Sequence, residues 1–135
     1  MTTEDSCLFC RIVAGKIDSR RIYEDDSAVA FLDVSHWQAG HTLVVPRRHV
    51  PDLLTGEPAL TAIAPAVDAV SRRLVKRLGA DGLNLLSSAK AIAGQEVFHL
   101  HVHLVPRYGE HPGLANQFRK GVEDDPDEVL RQIVG

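Results

Sequence analysis

The sequence predicts an α+β fold: about five short strands in a mainly antiparallel sheet, one long helix, and short N- and C-terminal helices. Three observations carry this prediction. Short β-rich runs bounded by turn residues recur along the chain. Only one long segment places apolar residues at helical spacing. That segment is inserted among the strands instead of alternating with each of them, which argues against a parallel sheet. A chain of 135 residues with 44% hydrophobic content and no repeat, linker or low-complexity tract is expected to form one domain, residues 1–135.

Cys7 to Ala14 reads as a short helix, with Phe9, Ile12 and Val13 apolar and Gly15 as its stop. Arg20 to Glu24 and Ala28 to Val34 read as strands joined by an Asp25-Asp26-Ser27 turn, hence a hairpin. Gly40 introduces a third β-rich run, His41 to Val45, ended by Pro46. Leu60, Ile63, Ala64, Val67, Val70, Leu74 and Leu78 recur every three or four residues. That spacing predicts an amphipathic helix of about five turns stopped by Gly79, with Pro65 either kinking it or marking its start. Leu83 to Leu86 is a short strand, and the run from Val97 to Val105 is the last. Asp125-Pro126-Asp127-Glu128 opens a C-terminal helix, its acidic residues at the positive end of the dipole.

A net charge of −3 gives no general attraction for nucleic acid. Arg72, Arg73, Lys76 and Arg77 cluster, but on a helix they read as a solvated face. Met1 to Ser6 is polar and acidic, without the apolar stretch of a signal peptide. No apolar run approaches the roughly 20 residues of a membrane span. The expectation is a cytoplasmic chain with neither a nucleic-acid polymer nor a membrane as partner. Cys7 and Cys10 are too close to staple distant parts of a fold, so their thiols read as metal-binding or redox-active.

The run Val97-Phe98-His99-Leu100-His101-Val102-His103-Leu104-Val105 holds the chemistry. On a strand, side chains alternate faces. His99, His101 and His103 therefore share one face, and Phe98, Leu100, Val102 and Leu104 face a core. One reading makes the histidines surface polar residues, though three beside an apolar alternation is unusual. A second makes them metal ligands. At about 3.3 Å per residue, however, His99 and His103 stand roughly 13 Å apart, too far for all three to share one ion. An adjacent pair could ligate with a carboxylate or further His recruited from elsewhere. A third is nucleophilic catalysis at phosphorus. One imidazole attacks, a neighbour stabilises phosphate charge or assists the leaving group, and the Ala93-Gly94-Gln95 turn adds an amide. The third reading uses every feature.

Taken together, these motifs resemble the histidine-triad (HIT) family of nucleotide-binding proteins, in its bacterial Hint-like branch. The resemblance rests on His99-Leu100-His101-Val102-His103-Leu104-Val105, on Cys7-Leu8-Phe9-Cys10-Arg11-Ile12, on Ile22-Tyr23-Glu24-Asp25-Asp26 and on Ala30-Phe31-Leu32-Asp33. It rests also on Gly40-His41-Thr42-Leu43-Val44-Val45-Pro46 and on Ala93-Gly94-Gln95. It covers about residues 7–107 as a HIT-domain core and leaves 108–135 as a tail. It implies a HIT-like fold and a homodimer whose two sheets join. His101 would attack the α-phosphorus of a nucleoside phosphate derivative, a purine nucleoside phosphoramidate being the type, forming a nucleotidyl-histidine that water hydrolyses to the monophosphate. His103 and Gln95 would contact the phosphate or leaving group, and His41 would support the site. Asp33 would bind ribose hydroxyls, with Ile17, Phe31 and Val34 around the base. The alternative is a nucleotide-binding regulatory or scaffold protein whose hydrolysis is incidental.

The resemblance further implies a structural zinc held by Cys7, Cys10, His49 and His99, and no catalytic metal. One segment departs from the family pattern. Many relatives carry Asn- and Gly-rich sequence where this chain has Ser87-Ser88-Ala89-Lys90-Ala91-Ile92. Ser88 stands where an Asn often touches ribose or phosphate, and Lys90 adds a charge expected to favour a more anionic substrate. His36, Trp37 and His111 are assigned to surface or dimer contacts.

Overall fold

The computed structural model describes residues 3–110, 113–114 and 125–135, so His111 lies outside the described residues. Two short helices, α1 (Thr3–Ser6) and α2 (Leu8–Val13), precede the hairpin β1 (Arg21–Glu24) and β2 (Ala28–Leu32). There follow β3 (Thr42–Pro46), the long helix α3 (Leu60–Leu78), β4 (Gly82–Leu86), a 3₁₀ turn at Ala91–Ala93, β5 (Val102–Arg107) and α4 (Pro126–Val134). The strands form one sheet in the order β1-β2-β3-β5-β4. Every pairing is antiparallel, so the fold is α+β.

The hairpin turns on an Asx motif: Asp25 Oδ1 accepts the backbone N–H groups of Ser27 and Ala28, each at 2.8 Å. β2 ends at Leu32, two residues before the expected Val34. There the Asp33 N–H turns to the His41 carbonyl (2.9 Å) and Asp33 Oδ1 takes the Ser35 N–H (2.9 Å). Helix α3 runs unbroken through Pro65, which lies on its exposed face. Gly79 ends it in the left-handed conformation (φ 65°), its N–H on the Val75 carbonyl. The buried stripe of α3 is Ile63, Ala66, Val70 and Leu74, with Val67 partly covered. Leu60, Ala64 and Leu78, expected on that stripe, are exposed.

Both faces of the sheet are covered. Ala28, Ala30, Val44, Val102 and Leu104 pack against α3. Their alternates Val29, Phe31, Leu43 and Val45 pack against Phe9 and Ile12 of α2. The last strand is shorter than expected, because residues 97–101 leave the ladder and pairing begins at Val102. The Leu100 N–H bonds the Val50 carbonyl instead (2.8 Å). Strict alternation therefore fails upstream: Phe98 is 51% exposed, whereas Leu100 on the same nominal face is buried. The basic cluster of α3 is exposed as expected.

Candidate active site

β5 carries His103 opposite Leu43 of β3 and Leu86 of β4, on the α2 side of the sheet. His101 precedes the strand by one residue, and Ser87 Oγ–H donates to its carbonyl at 2.8 Å. A cavity of about 630 Å³ opens over these rings. It is lined by His101, His103, Ile17, Phe31, Asp33, Val34 and Ser88, and by Phe9, Ile12 and Trp37. Its wall is thus apolar near α2 and polar near the imidazoles.

Hydrogen-bond partners assign the tautomers. The Trp37 backbone N–H donates to His41 Nδ1 at 3.0 Å, so His41 carries its proton on Nε2. His41 Nε2–H donates in turn to His103 Nδ1 at 2.9 Å, which puts the His103 proton on Nε2. His101 Nδ1–H donates to the His99 carbonyl at 2.8 Å, leaving Nε2 with a lone pair. The two cavity imidazoles therefore present opposite groups, a lone pair on His101 Nε2 and a proton on His103 Nε2. Asp33 Oδ2 sits 3.6 Å from His41 Nε2.

Burial favours the neutral form of all three rings. Burial pushes His103 down to about 4, helped by the neighbouring His101 and His41 and opposed by Asp33. Burial likewise lowers His101, against the His99 carbonyl and Asp33. His41 is lowered by burial, with His36 and Arg107 adding to it and Asp33 opposing. Asp33, His41 and His103 present their ligand-type atoms within 4.8 Å of one another. The facing nitrogens of His41 and His103 are donor and acceptor of one hydrogen bond, so the cluster is a hydrogen-bond chain from the Trp37 N–H through His41 to His103.

Cys7, Cys10, His49 and His99 converge separately, their ligand atoms all within 4.8 Å of one another. His99 Nδ1 lies 3.4 Å from Cys7 Sγ and 3.3 Å from Cys10 Sγ. His49 Nδ1 lies 3.2 Å from both Cys10 Sγ and His99 Nδ1. Zinc bonds of about 2.0–2.1 Å to nitrogen and about 2.3 Å to sulfur, at tetrahedral angles, separate ligand atoms by about 3.3–3.8 Å. The donor set fits a zinc ion. His99 Nε2–H donates to the Pro46 carbonyl (2.8 Å), the outer bond that turns Nδ1 toward the cysteines.

Three assignments change. Gln95 does not line the cavity; its Nε2 donates to the carbonyls of Pro51 (2.7 Å) and Val97 (3.0 Å), and its Oε1 accepts the Lys90 N–H (2.8 Å). The amide braces a loop outside the cavity lining. Lys90 also points elsewhere: its Nζ lies 3.1 Å from Asp52 Oδ2 and 2.8 Å from Thr55 Oγ1, so its charge is answered outside the cavity. Trp37, expected on a surface or dimer contact, lines the cavity and stacks on His103 at 4.9 Å and 12°. Phe9, read only as a helix apolar, meets the His101 ring edge-on at 5.1 Å. His41 is buried behind His103 and does not itself line the cavity.

The HIT domain family model matches residues 14–110. The Bacillus subtilis protein named "Protein hit" is 38% identical over 135 residues, covering 98% of this chain and 92% of its own length. Adenylylsulfatase HINT3 of Arabidopsis thaliana is 37% identical over 107 residues, 78% of this chain and 54% of that protein. The crystal structure of SMU.412c from Streptococcus mutans superposes with a TM-score of 0.81 at 40% identity, covering 96% of this chain and 81% of that one.

Proposed function

The chain belongs to the HIT domain family, and from that premise we propose that it hydrolyses nucleoside phosphate derivatives at the α-phosphorus, through a nucleotidyl intermediate on His101. Purine nucleoside phosphoramidates are the proposed substrates. The observation that carries this reading is the opposite tautomers of two adjacent cavity imidazoles: a lone pair on His101 Nε2 and a proton on His103 Nε2. A relative being an adenylylsulfatase supports chemistry at a nucleotide α-phosphorus.

The nucleoside enters with its base among Ile17, Phe31 and Val34 and its ribose on Asp33. His101 Nε2 bonds phosphorus as the phosphorus–nitrogen bond of the amidate breaks. The departing amine keeps that electron pair and takes a proton from solvent, while His103 Nε2–H donates to a phosphate oxygen. Positive charge growing on the His101 ring is met by the His99 carbonyl, already in place. Water then attacks phosphorus, the bond to His101 breaks, and one proton returns to solvent. The net reaction consumes one water.

A zinc ion on Cys7, Cys10, His49 and His99, supplying structure and no reaction step, belongs to the same proposal. So do cytoplasmic residence and a homodimer with joined sheets. For the dimer, β4 is an edge strand with Leu85 exposed. A monomer at micromolar concentration by equilibrium sedimentation sinks that assignment. Among the described residues no helix is long and apolar enough to cross a membrane.

The test of function is His101→Asn, with folding verified. Loss of 10³-fold or more in turnover, about 4 kcal/mol of barrier, is expected. Single-turnover trapping should yield a nucleotidyl adduct in wild type and none in the variant. Near-normal hydrolysis by the variant removes His101 as nucleophile. Tight nucleotide binding with no adduct, and turnover below about 0.1 s⁻¹, favours a regulatory binding protein.

A further inference from the structure

Trp37 stands in the loop between β2 and β3 and lines the cavity. Its indole belongs to neither apolar cluster of the core and stays 52% exposed. Its ring contacts are two imidazoles instead. The indole lies nearly parallel to His103, at 4.9 Å and 12°, and tilts over His41 at 4.6 Å and 39°. The Trp37 backbone N–H serves the same pair, donating to His41 Nδ1 at 3.0 Å. A large ring kept off the core and half in water adds little to burial. What it touches is the histidine pair.

The His103 ring needs such a neighbour. His41 Nε2–H holds its Nδ1 at 2.9 Å, and His101 meets it at 4.9 Å and 64°. The terminal torsion of a histidine is broad, so one hydrogen bond leaves the ring plane room to swing. A parallel indole against one face narrows that swing. The plane sets where Nε2–H points, and that N–H is the donor to the phosphate. A donor already aimed counts most as charge grows on the phosphate oxygens in the transition state. We propose that Trp37 is a positioning residue: its indole, packed face to face on His103, fixes the plane of that ring and so aims Nε2–H at the phosphate. The inference rests on the nucleotidyl-transfer reading of the site and requires no contact between Trp37 and substrate. Nothing in the sequence pairs the two residues, because a lone aromatic in a loop has no periodicity to betray its partner.

Trp37→Ala removes the indole but keeps the backbone N–H on His41, so the tautomers stand and the stack alone is tested. With adenosine 5′-phosphoramidate as substrate, kcat is expected to fall about tenfold and KM to change by less than about twofold, since a small misplacement of a catalytic group is costly. Trp37→Phe should restore most of kcat. In a His103→Ala background, Trp37→Ala should alter kcat by less than about twofold, because no ring is left to aim. An undiminished tenfold loss in that background, or a loss confined to KM, makes Trp37 a substrate contact or a prop for its loop and overturns the inference. So does wild-type kcat in Trp37→Ala. A second readout needs no turnover. The carbon-bound ring protons of His103 lie against the indole face, so their proton resonances should sit upfield in wild type. They should move downfield in Trp37→Ala and less so in Trp37→Phe. Resonances unmoved in Trp37→Ala mean that the stack is absent, which also overturns the inference. Wild type that shows the upfield resonances yet cleaves no amidate overturns the underlying reading of the site instead.

Discussion

His101 donates its Nδ1–H to the backbone carbonyl of His99 at 2.8 Å, while the His99 ring aims its own Nδ1 at Cys10 Sγ, 3.3 Å away. One residue therefore joins the proposed zinc cluster to the proposed nucleophile, the first by its ring and the second by its backbone. The bend at residues 97–99, which broke the expected strand, is what lets consecutive histidines face two different sites.

Losing the cluster should reach the nucleophile. Wild type is expected to hold about one zinc per chain, and Cys10→Ser to hold far less, by elemental analysis. Chelation should lower the melting temperature by about 10 °C, as for a ligand that binds only the folded chain. It should also lower kcat more than it raises KM, because the His99 carbonyl sets the His101 ring and not the nucleotide contacts. Equal zinc in wild type and Cys10→Ser removes the ligand set.

Gln95 is expected to matter for stability. Its replacement by Ala leaves the Pro51 and Val97 carbonyls and the Lys90 N–H without their partner. These partners are part-buried or exposed, so water replaces much of what the amide supplied, and a loss of about 1–2 kcal/mol is expected in urea unfolding. A variant with wild-type stability but a large fall in kcat would return Gln95 to the phosphate.

The hairpin, the long helix with its Gly79 stop and the sheet of five strands were legible because each rests on local chemistry. Asp25 caps its own turn, the α3 stripe repeats at the helical period, and Gly79 takes a positive φ. The histidine run was half legible. Its alternation placed His101 and His103 together, but the reach of His99 to Cys7 and Cys10 is a tertiary demand that no period records. The same holds for Gln95 and Lys90, whose partners Pro51, Asp52 and Thr55 lie 35 or more residues away. The convergence of Cys7, Cys10, His49 and His99 followed from family resemblance, since Cys-x-x-Cys alone left redox and metal readings open.

Lys90 sits at φ 79° and ψ 153°, a backbone region almost reserved for glycine, where strain of about 1–3 kcal/mol is usual. Its side chain meanwhile answers the carboxylate of Asp52, which is 3% exposed. Lys90→Gly and Lys90→Ala lose that ion pair alike, but only the glycine relaxes the backbone. Lys90→Gly should therefore be the more stable by about 1–3 kcal/mol in denaturant unfolding. Equal stabilities would mean that the strain is absent.

The pH dependence of folding should carry the signature of His103. Its folded value, about 4, lies below the 6.5 of an ordinary imidazole, first because of burial and then because His101 and His41 adjoin it. Between those values the unfolded chain holds a proton that the folded chain does not, so acid favours unfolding. The contribution of neutral His103 is complete above pH 6.5, is lost as pH falls toward 4, and changes no further below that. The difference in unfolding free energy between wild type and His103→Gln isolates His103 together with its coupling to His101 and His41. It should rise with pH across that window and be flat above pH 7. A flat difference throughout would place His103 in water, and with it the end of the hydrogen-bond chain that begins at the Trp37 N–H and runs through His41.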